Sequence, residues 1–269
     1  MTKKRIKNIL TVVLAVVFLL SAGMTVRQQI LYQQITADSD QAVQVAGLRK
    51  PKAPVPTEAD AQEPPPAADD PRPEDVKELD SVNLNALREV NADVWGWIAI
   101  PGTQLSYPLM RGEDNQFYLN HNWMQEPSDG GAVFLECTDD GTFSGFHTII
   151  YGHRMRNESM FGLLRHYNTQ DFWQEHPSVY VVLDDGIYQY EIFSALKASV
   201  KGIVYRLDME ESQLEEEFLQ YCTERSEIDT GIVPGVEDRI LTLSTCTGSG
   251  HASRWIVQGR LAQVYDRAD

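Results

Sequence analysis

The first strong pattern along the chain is an unbroken apolar run from about Ile9 to Met24, set directly after Lys3, Lys4, Arg5 and Lys7. At about 1.5 Å per residue, such a run just reaches across a hydrocarbon layer of about 30 Å, and its basic flank favours the cytoplasmic side. The pattern predicts a basic cytoplasmic tail over 1–8 and a signal-anchor segment over 9–26, with a cleaved secretory signal ending near Ser21, Ala22 and Gly23 as the rival reading. On either reading the rest of the chain is exported. From about Thr36 to Glu78, within a linker expected over 27–80, the pattern lapses: Pro51, Pro54, Pro56, Pro64, Pro65, Pro66, Pro71 and Pro73 are mixed with Ala, Asp and Glu, and large apolar residues are scarce. Such a stretch cannot build a core, and it reads as a semi-stiff extracellular linker.

A globular domain is expected over 81–269. Leu84, Leu87, Val90 and Val94 recur at helical spacing and predict one amphipathic helix from about Val82. Short β-prone runs follow at Trp97 to Ile100, Ala132 to Leu135, Thr148 to Tyr151, Val179 to Leu183, Ile187 to Phe193, Ile240 to Ser244 and Trp255 to Val264. In VYVVLDDGIYQYEIF, Asp185-Gly186 supplies the residues a tight hairpin turn with positive φ requires. The period returns to that of a helix where Leu207, Leu214, Phe218, Leu219 and Cys222 share one face and a run of glutamates lies largely elsewhere. The predicted fold is mostly β with added helices, a barrel or sandwich.

Composition narrows the function classes. A 42% hydrophobic fraction permits a substantial core, while a formal charge of -16 excludes a nucleic-acid surface, which needs clustered Lys and Arg. The acidic residues lack calcium-loop spacing and the three cysteines lack zinc spacing, so neither metal nor cofactor is expected.

Of those cysteines, Cys222 lies on an apolar helix face and reads as a small buried hydrophobe, and Cys137 follows the strand GAVFLE as a core or strand-end residue, with a disulfide to Cys222 as a further option. Cys246 differs, because it closes a β-like run and opens the glycine-rich loop TGSGHAS, where a side chain can face a cleft. A cysteine attacks as thiolate, so at neutral pH it needs a neighbouring base or cation. His153, directly after the strand in IIYGHRM, is held by scaffold. His251 is close in sequence but sits in a Gly-Ser loop. Both are candidates on chemistry alone. Arg254, eight residues after Cys246, is a permanent cation with several fixed donors.

TLSTC followed by that arginine, with YGHRM about ninety residues upstream, resembles the sortase family of membrane-anchored cysteine transpeptidases. GWIAIPGTQLSYPLM, FYLNHNW, GAVFLE and IIYGHRMRNESMFGLL resemble class B sortases in order and spacing, so that the likeness runs from Asn91 to Val264. The resemblance implies an eight-stranded β-barrel with an N-terminal helix and a helix inserted before the cysteine-bearing strand. It implies His153, Cys246 and Arg254 as the catalytic set, and Ser244 and Thr245 beside the substrate. It further implies cleavage after Thr in a C-terminal sorting signal of secreted proteins, NPxTN-like or PxTG-like, through a thioacyl enzyme. The acyl group then passes to an amine of a peptidoglycan precursor, anchoring the protein to the wall, or alternatively to a pilin amine. The expected place is the cell membrane of a Gram-positive type cell, single-pass, with the catalytic domain outside. One departure is that TGSGHAS carries no acidic residue after the cysteine, unlike some class B relatives. A Cys/His peptidase and a non-catalytic surface binding module are the readings from other classes.

Overall fold

The computed structural model describes residues 3–48, 70–207, 209, 212–248 and 252–268. Eight strands alternate with five helices: α1 (Lys3–Val45), α2 (Glu74–Asp80), α3 (Leu84–Val90), β1 (Val94–Ala99), β2 (Ser106–Met110), β3 (Val133–Leu135), β4 (His147–Tyr151), α4 (Gln170–Glu175), β5 (Ser178–Val182), β6 (Ile187–Ser199), α5 (Ser212–Glu224), β7 (Ile240–Cys246) and β8 (Ser253–Tyr265). The strands close into one barrel in the order β1-β2-β3-β4-β7-β8-β6-β5. Neighbours are antiparallel except for β2 with β3 and β4 with β7. Closure leaves no open sheet edge. The expected barrel with an N-terminal helix and a helix before the cysteine strand is therefore the fold.

Alternation along β7 and β8 decides which side chains enter the barrel. Leu241, Leu243, Trp255 and Val257 join the interior cluster, which also holds Ile98, Leu109, Leu135, Ile150 and Val181. Ile240 and Ile256 face outward against Phe218, Leu219 and Cys222 of α5, which cover that wall. The acidic residues of α5 lie on its other side, so its amphipathic pattern is satisfied by docking on the barrel.

Several expectations are corrected. The helix read from Val82 to Val94 is shorter, α3 alone, because Asn83 caps its start by accepting from the Ala86 N–H at 2.9 Å and Val94 already begins β1; a separate short helix, α2, precedes it. β2 went unread because Pro108 sits in it. Its missing donor is tolerated because the β2–β3 ladder uses only Leu109 and Met110. The hairpin between β5 and β6 is where it was read, but Asp184 and Asp185 make its tip, with Leu183 N donating to Gly186 O at 2.9 Å. Gly186 is not left-handed; a Cβ there would lie 2.8 Å from Val264 Cγ1, so it is small for packing. All three cysteines are free thiols, which removes the Cys137–Cys222 disulfide.

The described ends of the 27–80 stretch are helical. The apolar helix does not stop near Val26 but continues to Val45, and it is long and apolar enough to cross a membrane. Its last third and the turn after it lie on the barrel, with Ile35 4%, Ala42 0%, Val43 7% and Ala46 0% exposed. These positions repeat at helical spacing, but the face they form contains Ala, Asp and Ser, too little apolar bulk to stand out in the sequence. α2 at the other end of the stretch buries Val76 and Leu79, and Asn83 N donates to Ala46 O at 2.9 Å, binding α1 to the start of α3. The proline-rich centre of the stretch, 51–66, lies outside the described residues.

His147 opens β4 and is buried between β7 and α5, its ring 4.7 Å from that of Phe218. Nδ1 donates to Arg206 O at 3.3 Å and Nε2 accepts from the Thr242 hydroxyl at 2.8 Å, an arrangement that holds the neutral imidazole. Burial pushes its pKa from the ordinary 6.5 down to about 4. The unfolded chain therefore binds a proton that the folded chain refuses, and stability is lost as pH falls from about 6.5 towards 4, by up to about 3 kcal/mol. Thermal melts across that range should show this loss, and His147→Gln should flatten it.

Candidate active site

Cys246 is the last residue of β7, and its strand partner is Arg254, the second residue of β8. On the other side of β7, Tyr151 at the end of β4 pairs with Ser244, and Gly152 N donates to Ser244 O at 3.2 Å. His153 lies two residues beyond Tyr151, as Cys246 lies two beyond Ser244, so the parallel register carries both to the same level. Arg254, Cys246 and His153 thus occupy three adjacent strand ends in one row, and all three are half-buried. Tyr151 and Ser244 form the row below on the same outward face, and Tyr205 closes over them, its hydroxyl 2.7 Å from Ser244 Oγ. Burial raises the Tyr205 pKa, with the Arg254 cation acting to lower it and Cys246 to raise it, so both groups lie within electrostatic reach of this phenol.

His153 Nε2 is 2.8 Å from the Leu119 carbonyl oxygen. A carbonyl only accepts, so Nε2 carries a hydrogen and Nδ1 is the nitrogen free to exchange a proton. The backbone carbonyl here does the orienting that a carboxylate does in an Asp-His pair. Arg154, next in sequence, donates from Nη1 to the Thr247 carbonyl and ties the histidine loop to the loop behind Cys246. Arg254 Nη1 donates to its neighbour's carbonyl, Ser253 O, at 3.1 Å.

The two residues expected beside the substrate separate. Ser244 shares the face of Cys246 under Tyr205. Thr245 points the other way into the barrel, is 2% exposed, and its Oγ1 finds no hydrogen-bond partner among the described residues. Strand alternation thus takes Thr245 out of the groove. His251 lies outside the described residues. No group of three or more His, Cys, Asp or Glu suited to a metal occurs among the described residues.

Sequence reading missed a buried carboxylate nearby. Glu136, 7% exposed at the end of β3, accepts from Asn115 Nδ2 at 2.6 Å and Tyr151 Oη at 2.8 Å. Thr138 Oγ1 and Cys137 Sγ also point to it, at 3.3 and 3.5 Å. Burial acts to raise the Glu136 pKa, but these donors outweigh it and hold the carboxyl below its ordinary value, while the same contact and burial push Tyr151 up. The one sequence signal was a charged residue closing the otherwise apolar run GAVFLE.

Comparison with known proteins places this geometry. The Sortase domain family matches residues 98–262. Sortase B of Staphylococcus aureus is 35% identical over 183 residues, covering 67% of this chain and 75% of that protein. Sortase B of Listeria monocytogenes is 32% identical over 180 residues, covering 66% and 73%. The solved Staphylococcus aureus sortase B-substrate complex superposes with a TM-score of 0.64 at 33% identity, over 68% of this chain and 85% of that one.

Removing the Tyr151 hydroxyl deprives an anionic Glu136 of one donor. Tyr151→Phe should therefore cost about 1–3 kcal/mol of stability at pH 7. The difference from wild type should shrink in acid, where Glu136 is neutral and needs the donor less. Paired denaturant melts at pH 7 and in acid well below the ordinary carboxylate range check both the sign and the trend.

Proposed function

The chain belongs to the sortases, in their class B, and is a cysteine transpeptidase of that type; on this premise we propose that Cys246 is its nucleophile, His153 its acid/base and Arg254 its electrostatic clamp. The observation that supports this reading is the register, in which Cys246 pairs with Arg254 and Ser244, two residues before Cys246, pairs with Tyr151, two residues before His153.

The proposed cycle is as follows. The Cys246 thiolate attacks the carbonyl carbon of a threonine in a C-terminal sorting signal. As the tetrahedral intermediate collapses, the C–N bond breaks and His153 gives its Nδ1 proton to the departing amine. A thioacyl enzyme remains, and the downstream peptide leaves. An incoming amine then attacks the thioester, neutral His153 takes its proton at Nδ1, and the thiolate is expelled. Arg254, cationic throughout, donates to the oxyanion in both halves and loses nothing to reorganisation. Ser244 and Tyr205 form the wall against which the sorting signal lies. A peptidoglycan-precursor amine as acceptor fixes the secreted protein to the wall, consistent with the general role of the family.

In this reading α1 is a single-pass anchor with its basic end in the cytoplasm and the barrel outside. The docked part of α1 belongs with the catalytic domain, which therefore extends further towards the N-terminus than residue 81.

With peptides of NPxTN and PxTG type and triglycine as amine, the chain should form ligated product, and amine should speed turnover. Cys246→Ala should abolish cleavage and ligation together. Arg254→Ala should lower kcat by roughly 10²–10³, the scale of one oxyanion donor, and Arg254→Lys should restore little of it because the fork of donors is lost. Chromatographic separation of hydrolysed and ligated peptide reads all of these. Hydrolysis without ligation would identify a peptidase instead.

A further inference from the structure

We propose that the outer part of α1, beyond its apolar segment, is a positioning element of the active site, acting on His153 through the Gly130–Gly131 pair. This rests on the reading of His153 as the acid/base. Ile35 of α1 presses directly on Gly130: a Cβ on that glycine would lie 2.6 Å from Ile35 Cδ1 and 2.7 Å from Cγ1, closer than atoms can approach. The next residue, Gly131, has φ +57 and lies against the imidazole, where a Cβ would be 3.0 Å from His153 Cδ2 and 2.5 Å from Tyr118 O. Helix, glycine pair and catalytic ring therefore form one continuous stack, with no side chain between the glycine backbone and its neighbours.

A second contact fastens the same loop to the same helix. Asp38 Oδ2 accepts from Asn122 Nδ2 and its backbone carbonyl accepts from Trp123 Nε1, each at 3.0 Å. Between these contacts the loop is tied by its own hydrogen bonds. Asn122 Oδ1 accepts from the Met124 and Glu126 N–H groups at 3.0 Å, and Ser128 N donates to Asn120 O at 2.9 Å. This is also the loop whose Leu119 carbonyl holds His153 Nε2. A shift of α1 therefore moves both the surface His153 rests on and the acceptor that sets its tautomer. Interiors packed at van der Waals contact transmit such shifts rather than absorb them.

The test is a compensation experiment on the full chain in detergent micelles, with sorting-signal peptide and triglycine. Gly130→Ala should lower kcat at least tenfold with KM within about twofold, and should displace the limb of the kcat–pH profile that reports His153. Ile35→Ala, added to Gly130→Ala, removes the carbons that the new methyl strikes and should bring kcat to within about threefold of wild type, a non-additivity expected only of residues in contact. The pH dependence of Cys246 alkylation by iodoacetamide should shift in Gly130→Ala and return in the double variant, and it needs no peptide turnover. Wild-type kcat and alkylation profile in Gly130→Ala would overturn the proposal, as would a loss that Ile35→Ala does not relieve. Failure of the wild-type chain to process any peptide bears instead on the proposed function, and the alkylation series then still decides between coupling and no coupling.

Discussion

The parallel pairing of β4 with β7 is the constraint on which the rest depends. Two strands about ninety residues apart in sequence run side by side in one direction, so their C-terminal ends arrive together at one rim of the barrel. Parallel neighbours need a long crossover, and here it is a large part of the domain, including β5, β6 and α5. Because β8 returns antiparallel from β7, its start meets the same rim. Three residues with no local relation thereby reach one rim, which is where the proposed chemistry of a thiol, an imidazole and a guanidinium is assembled.

Around that row the polar groups are partnered rather than solvated. His153 is held by a backbone carbonyl, so the absence of an acidic residue in TGSGHAS leaves its imidazole oriented all the same. A carboxylate nearby, Glu136, is buried and held by Tyr151 and Asn115. The buried His147 shows the opposite solution: a histidine kept neutral by desolvation, packed as core, while His153 stays half-open to the groove. The docked helix changes the picture of how the domain is carried. A fully extended proline-rich spacer over 27–80 would reach roughly 170 Å, whereas about 14 Å of helix separates Val26 from Ile35. In the anchor reading, the barrel rides close to the membrane.

Much of this was legible in the chain. Seven of the eight strands announced themselves by β-branched and aromatic runs, and the amphipathic face of α5 by its period. Cys246, His153 and Arg254 stood out because each follows or opens a strand and because their spacing matches a family pattern. What stayed hidden has physical causes. β2 contains Pro108, whose missing donor matters only where the ladder asks for it. The docking face of α1 sets Ile35 and Val43 among Ala, Asp and Ser, which dilute its hydrophobic signal, and its partner glycines lie far off in sequence. Thr245 was misplaced because neighbouring a nucleophile in sequence means facing away from it in a strand. The role of Leu119 rests on a carbonyl, which every residue has.

The central claim is a covalent route through Cys246, and intact-mass spectrometry of the chain with sorting-signal peptide in the absence of amine tests it most directly. The expected result is an added mass equal to the peptide fragment ending at its threonine, mapped to Cys246 and discharged on adding triglycine. Peptide consumed with no adduct at Cys246, or an adduct that triglycine leaves in place, would contradict it.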